Sequence, residues 1–184
     1  IRDRRPSRGL GDVYKRQILE GDANPKIKAV ANNEFAYVRI ALFAEDTNIS
    51  EHVVTMSGSK ITTIPITIRS QTGVSNVEYL DIETIYASSG VETVIVDERE
   101  VTNYNQSTRT YTAIVDPKTN PHEIFIISEN SYAKMEINGS MDDGSITTYT
   151  SLAEDEYEKS LQLKITSETG VEEEYTCLLY TSPS

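Results

Sequence analysis

A nucleophilic catalytic site needs a serine hydroxyl, a histidine to take its proton and a carboxylate to orient that histidine. The 184-residue chain has only two histidines, His52 and His122. His122 follows Pro121 and reads as part of an inter-strand loop, and His52 sits in a variable polar stretch. Neither has a serine and an acid at a recognisable spacing, so no catalytic residue is expected and the chain is read as not an enzyme. Calcium is the ion the sequence suits best, because it takes closely spaced Asp, Asn and carbonyl oxygens. The candidate ligands are Asp142 and Asp143, just before Gly144, and Asp46 within Glu45-Asp46-Thr47-Asn48. Asp116-Pro117-Lys118-Thr119-Asn120 is a further polar turn, but the twelve-residue loop of a helix–loop–helix calcium site is absent. The plain reading of all three is a solvated acidic turn, with no cofactor required.

Tyrosine and glutamate offer two binding readings. There are 11 tyrosines and no tryptophan. Tyr79 and Tyr175 each follow a similar turn, which reads as a recurrent packing tyrosine rather than a sugar-stacking platform. Glu172-Glu173-Glu174 reads as a solvated strand edge that discourages further pairing, with docking to a partner as the other use. Net charge is −12, which excludes a nucleic-acid or anionic-membrane surface, since both need clustered Lys and Arg. Hydrophobic content of 38% is enough for a packed core, and no apolar run reaches the length of a membrane-spanning helix.

The two ends differ from the acidic middle. The head is basic, with Arg2, Arg4, Arg5, Arg8, Lys15 and Arg16, and the tail from Cys177 to Ser184 is uncharged. Cys-Leu-Leu-Tyr-Thr-Ser-Pro-Ser can be back-translated so that its reverse complement, read one base in, encodes Leu-Gly-Asp-Val-Tyr-Lys-Arg-Gln, which is Leu10 to Gln17. One DNA element in opposite orientations thus accounts for both ends, and it resembles a sequencing-library adapter. Residues 1–17 and 177–184 are therefore read as non-native tails. Cys177, the only cysteine, goes with them, leaving no disulfide framework, zinc site or thiol nucleophile.

Within the remainder the chain repeats itself. Ser70-Gln71-Thr72-Gly73-Val74 matches Ser167-Glu168-Thr169-Gly170-Val171, 97 positions on. The same offset pairs Asn33-Glu34-Phe35-Ala36 with Asn130-Ser131-Tyr132-Ala133, and Ile27, Ile40, Asp46, Ile49 and Ile68 with Ile124, Ile137, Asp143, Ile146 and Ile165. The register reads as ungapped from Lys26 to Val74, with one residue dropping out later so that Tyr79 meets Tyr175. Two copies of one module follow, 18–87 and 88–176, the first without its opening strands.

Apolar residues alternate at a period of two, as in Ile64, Ile66, Ile68 and in Leu161, Leu163, Ile165, which predicts half-buried antiparallel strands. These six, with Ala133, Met135 and Ile137, are the predicted core. Gly73 and Gly170 supply positive φ for two tight hairpins. Glu154–Lys159 reads as a polar loop leading into a strand. The expected class is all-β, as two tandem immunoglobulin-like antiparallel sandwiches, the first N-terminally truncated.

The order of motifs carries a resemblance. Thr110-Tyr111-Thr112-Ala113-Ile114-Val115 is followed by Ala133-Lys134-Met135-Glu136-Ile137-Asn138-Gly139, then by Leu163-Lys164-Ile165 with its Gly170 turn, and by Glu174-Tyr175-Thr176. This resembles the bacterial cadherin-like β-sandwich repeat family, closely over 88–176 and in degenerate form over 26–86, where Ala41-Leu42 replaces Asn-Gly. The resemblance implies a spacer or accessory module of an exported, cell-surface bacterial multidomain protein, with neighbouring β-sandwich domains as partners and no catalytic residue. The alternatives are an adhesin module that binds cell-wall glycan or a host or surface protein, and an accessory domain of a secreted enzyme. An adhesin would gather exposed tyrosines on one face, whereas a spacer would bury most of them.

Overall fold

The computed structural model describes residues 13–19, 21, 24–43, 48–56 and 59–181. The chain is all-β and divides into two compact units, Ile1–Ile85 and Tyr86–Ser184. The first unit contains β1 (Val13–Leu19), β2 (Lys26–Val30), β3 (Tyr37–Ile40), β4 (Ile49–Val53), β5 (Ile61–Arg69) and β6 (Ser75–Ile85). The second contains β7 (Val91–Val96), β8 (Arg99–Glu100), β9 (Tyr104–Asn105), β10 (Thr110–Val115), β11 (His122–Ser128), β12 (Lys134–Ile137), β13 (Ser140–Asp143), β14 (Ser145–Thr150), β15 (Glu158–Thr166) and β16 (Glu172–Thr181).

Unit 2 is an immunoglobulin-like sandwich. One sheet runs in the order β13-β12-β15-β16-β10-β9 and the other β14-β11-β7-β8. β10 lies parallel to β16, while β11 is antiparallel to both β7 and β14. Alternation decides which face is inside. Ile124 and Ile126 of β11 face Met135 and Ile137 of β12 and Leu163 and Ile165 of β15 within one cluster, all fully buried. Each such side chain contributes roughly 1.5–3 kcal/mol by leaving water. Unit 1 has sheets β1-β6-β5-β3 and β2-β4. Its core is split into a cluster around Ile40, Ile64 and Ile82 and a smaller one of Ala31, Ala36 and Val38. Ile64 is buried as expected, but Ile66 and Ile68 are only partly so.

The repeat is visible in the backbone. β2, β3 and β5 recur 97 positions later as β11, β12 and β15, and β1 and β6 as β10 and β16. Both long hairpins close alike: the Ser70 and Ser167 N–H groups donate to the carbonyls of Val74 and Val171, and the Ser hydroxyls sit 2.8 and 2.9 Å from those of Thr72 and Thr169. Gly73 and Gly170 have φ of 86° and 83°. Ala41 holds φ 49° where Asn138 holds 51°, so the turn survives without its Asn-Gly.

Four expectations are corrected. First, no residue drops out before Tyr79. Ile64 pairs with Leu80 and Leu161 with Cys177, so the 97-residue offset persists through the last strand. Tyr79 therefore corresponds to Thr176, and because neighbours on a strand face opposite sides, Tyr79 is 44% exposed while Tyr175 is 8%. Second, β4 slips by one residue. Ile27 pairs with His52, whereas Ile124 pairs with Thr148, so Ser50 takes the inward position of Ile146 and Ile49 faces out. Third, His122 is not in a loop; it opens β11 and is 1% exposed. Fourth, the excluded ends take part in the sheets. β1 lies mostly within 1–17, and β16 runs on through Cys177–Thr181 between β15 and β10, with Cys177 and Leu179 in the core. The Glu154–Lys159 segment is a loop up to Tyr157, as expected, with β15 starting at Glu158.

Candidate functional site

The one buried histidine is the natural starting point. β7 turns into β8 through Asp97 and Glu98, both at positive φ (47° and 65°), which brings the Asp97 side chain over the start of β11. His122 Nδ1 lies 2.7 Å from Asp97 Oδ2, and the Glu123 N–H donates to Asp97 Oδ1 at 3.0 Å. The Asp97 N–H returns a bond to the Glu123 carbonyl at 3.0 Å. A carboxylate on an imidazole is the orienting half of a nucleophilic site. Here the histidine makes no other side-chain hydrogen bond among the described residues, and no serine or threonine hydroxyl is bonded to it. The pair satisfies two buried polar groups and pins the β7–β8 turn to β11. Sequence gave no signal for it, since Asp97 and His122 meet only through strand pairing.

Beside this pair lies an open cavity of about 370 Å³, lined by His122, Asn120, Thr119, Leu152, Glu156 and Tyr157 among others. Its floor is tied by Asn120 Nδ2, which donates to the Leu152 carbonyl at 3.2 Å, and by the Asp116 carboxylate, which accepts the Lys118 N–H at 2.9 Å. Asp116 thus closes its own turn. A second open groove, about 450 Å³, separates β7–β8 from β10 and carries mixed charge from Asp97, Arg99, Glu100 and Asp116.

The candidate calcium ligands are not brought together. Asp142 and Asp143 lie on the exposed edge strand β13, opposite Met135 and Lys134, and Asp142 Oδ1 accepts the Asp143 N–H at 2.9 Å. Asp46 lies outside the described residues. Among the described residues no group of three His, Cys, Asp or Glu side chains is placed to hold a metal ion. Gly144 next to them is structural: at φ 73° an added Cβ would meet the Ser131 carbonyl oxygen at 2.4 Å.

The tyrosines mostly contact one another or their own strands. Tyr104 stacks on Tyr111 at 4.4 Å, Tyr111 tilts against Tyr175 at 6.4 Å, and the Tyr175 hydroxyl donates to the Ser89 carbonyl at 3.2 Å. Burial pushes the Tyr111 hydroxyl up to about 12 and raises that of Tyr175. Tyr86 stacks on Tyr132, and the exposed Tyr149 hydroxyl donates to Glu123 Oε1 at 2.8 Å, which raises its pKa. The most exposed rings, Tyr149 on β14 and Tyr157 in the loop before β15, belong to different elements and do not stack. In unit 1, Arg69 lies 4.5 Å over the Tyr37 ring, and His52 stacks on Phe43 at 4.2 Å. Glu172 and Glu173 are held by Lys164 at 2.8 Å and by Arg109, so the Glu run is neutralised along β15 and β16. The thiol of Cys177 is buried and pushed up to about 12 by that burial, far from a nucleophile's range.

No family model matches the chain, and no curated protein matches it. Among solved structures it is similar to the protocadherin GammaB4 extracellular domain, at 10% identity over 94% of this chain and 31% of that one, with a TM-score of 0.33. It is also similar to Drosophila N-cadherin EC1-4, at 11% identity over 92% and 48%, TM-score 0.36, and to the human desmocollin-1 ectodomain, at 10% over 94% and 36%, TM-score 0.35. The chain spans between about a third and a half of the length of these three. No helix among the described residues is long and apolar enough to cross a membrane.

Proposed function

We propose that the chain is a non-catalytic spacer of an exported, cell-surface bacterial multidomain protein, holding a neighbouring domain at a distance. What carries this reading is what the repeat preserves. Strand order, hairpin hydrogen bonds and the positive-φ turns recur 97 residues apart. The side chains capable of chemistry do not: His122 corresponds to Pro25, and the Asp97–His122 pair has no counterpart in unit 1. Duplication has kept a scaffold and varied everything else. No cofactor is assigned, and the acidic turns are solvated surface rather than calcium ligands.

The test is binding and stability on the full chain. Cell-wall glycan fragments at millimolar concentration are expected to leave its NMR spectrum unchanged, and the unfolding midpoint is expected to be equal in calcium and in chelator. Saturable shifts clustered at Tyr149 and Tyr157 would replace the spacer with an adhesin. A calcium-dependent midpoint that is lost on Asp142→Asn would install a metal site on β13. Residues 1–17 and 177–184 are assigned to one DNA element read in both orientations, an assignment supported by the complementary codons. Sequencing the source gene across Thr176 tests it, and native coding sequence continuing through Cys177 overturns it.

A further inference from the structure

The two units differ at one strand position. In unit 2, β11 is paired on both sides, by β14 and by β7. In unit 1 its counterpart β2 is paired only by β4, and among the described residues no strand lies on its other side. The hydrogen-bonding parity is the same in both. The Ala31 N–H donates to the Asn48 carbonyl at 2.8 Å and the Val54 N–H to the Pro25 carbonyl at 3.0 Å, so the odd residues along β2 face β4. Antiparallel strands alternate the direction of their backbone groups. The N–H and C=O of Lys26, Lys28 and Val30 therefore point to the open side. Their counterparts in unit 2 are Glu123, Phe125 and Ile127, which face β7: the Glu123 carbonyl accepts the Asp97 N–H at 3.0 Å.

Unit 2 also shows what fits such an edge. Val94 and Val96 of β7, opposite Ile126 and Ile124, are 1% and 5% exposed and belong to its single core cluster. Transposed by 97 residues, these valines fall opposite Ala29 and Ile27. Ala29 is the residue that touches both of the separate core clusters of unit 1, so an inward valine beside it would lie where that core is divided. The residue at the position of Asp97 would fall opposite Lys26, beside a second cation at Lys28.

We propose that the open edge of β2 is a strand-acceptor site, taking from another protein an extended antiparallel segment with alternating inward valines and an acidic residue opposite Lys26. Three backbone positions would supply the affinity, and the small side chain of Ala29 would select a branched apolar partner.

The test uses the full chain and a synthetic peptide of the sequence Val91–Glu98 as probe. At saturating peptide, amide exchange at Lys26, Lys28 and Val30 is expected to slow by at least about tenfold, with the amides of unit 2 unchanged as the control for folding. A peptide carrying Val94→Asp and Val96→Asp is expected to give no protection. The proposal is overturned if the amides are unaffected, or if the doubly substituted peptide protects them equally. Protection without peptide that grows with protein concentration would place a second copy of this chain on the edge, and would overturn the assignment to a foreign strand.

Discussion

Two residues show opposite uses of burial. Cys177 suits its place: a small apolar side chain in the middle of β16, 1% exposed, with its thiol held neutral. Ser50 does not, since the slip of β4 leaves its hydroxyl buried without a hydrogen-bond partner. An orphaned buried hydroxyl costs about 1–3 kcal/mol. Ser50→Ala is therefore expected to raise stability by roughly 1 kcal/mol, read as a higher urea midpoint, and a loss would show that the hydroxyl is satisfied after all. The thiol makes a pH prediction. Its pKa is raised from 9.0 to about 12, so the folded form stays protonated while the unfolded chain ionises. That contribution is fully present below pH 9 and is lost as pH rises towards 12. Tyr111, raised from 10.0 to about 12, adds the same trend from pH 10. The urea midpoint is expected to fall across pH 9–12, and Cys177→Ala to flatten the part between 9 and 10.

Turns and registers show what the sequence could and could not disclose. The hairpins at Gly73 and Gly170 were legible because positive φ leaves glycine as the one unstrained choice. Neither has an atom within 4 Å of an added Cβ, so Gly170→Ala is expected to cost only backbone strain, about 1–2 kcal/mol. Gly144→Ala should cost more, because the Ser131 carbonyl must also move. The reverse substitution at Ala41, already left-handed at φ 49°, should help: Ala41→Gly is expected to raise the midpoint of unit 1. The slip of β4 was not legible. Ile-Ser-Glu-His-Val-Val has apolar residues on both alternations, so the pattern alone does not choose which face is inside. The Asp97–His122 contact was hidden for another reason, since pairing of β7 with β11 creates it across 25 residues of sequence. The acidic candidates failed for the simplest reason, as Asp142 and Asp143 point along an edge strand with no third ligand near them.

At the scale of the molecule, the class and the repeat were written in the alternation, while the ends of the units were not. A boundary at Thr176 cuts β16 in its middle, removing Cys177 and Leu179 from the core and five rungs from the ladder with β10. Residues 86–181 are expected to unfold cooperatively on their own, and 86–176 to be destabilised by several kcal/mol, given about 2–5 kcal/mol for emptying one large core position. Equal midpoints for the two fragments would show that the tail only decorates the strand. The parallel pairing of β10 with β16 has a further consequence. The chain enters that ladder at Thr110 and leaves it at Thr181, which are its opposite ends. Tension across this segment therefore pulls along the strands and loads the rungs together in shear, rather than peeling them one at a time. The pairing of β1 with β6, entered at Val13 and left at Ile85, is strung the same way. Each unit thus carries its own brake against extension, set by the direction in which its first and last paired strands run.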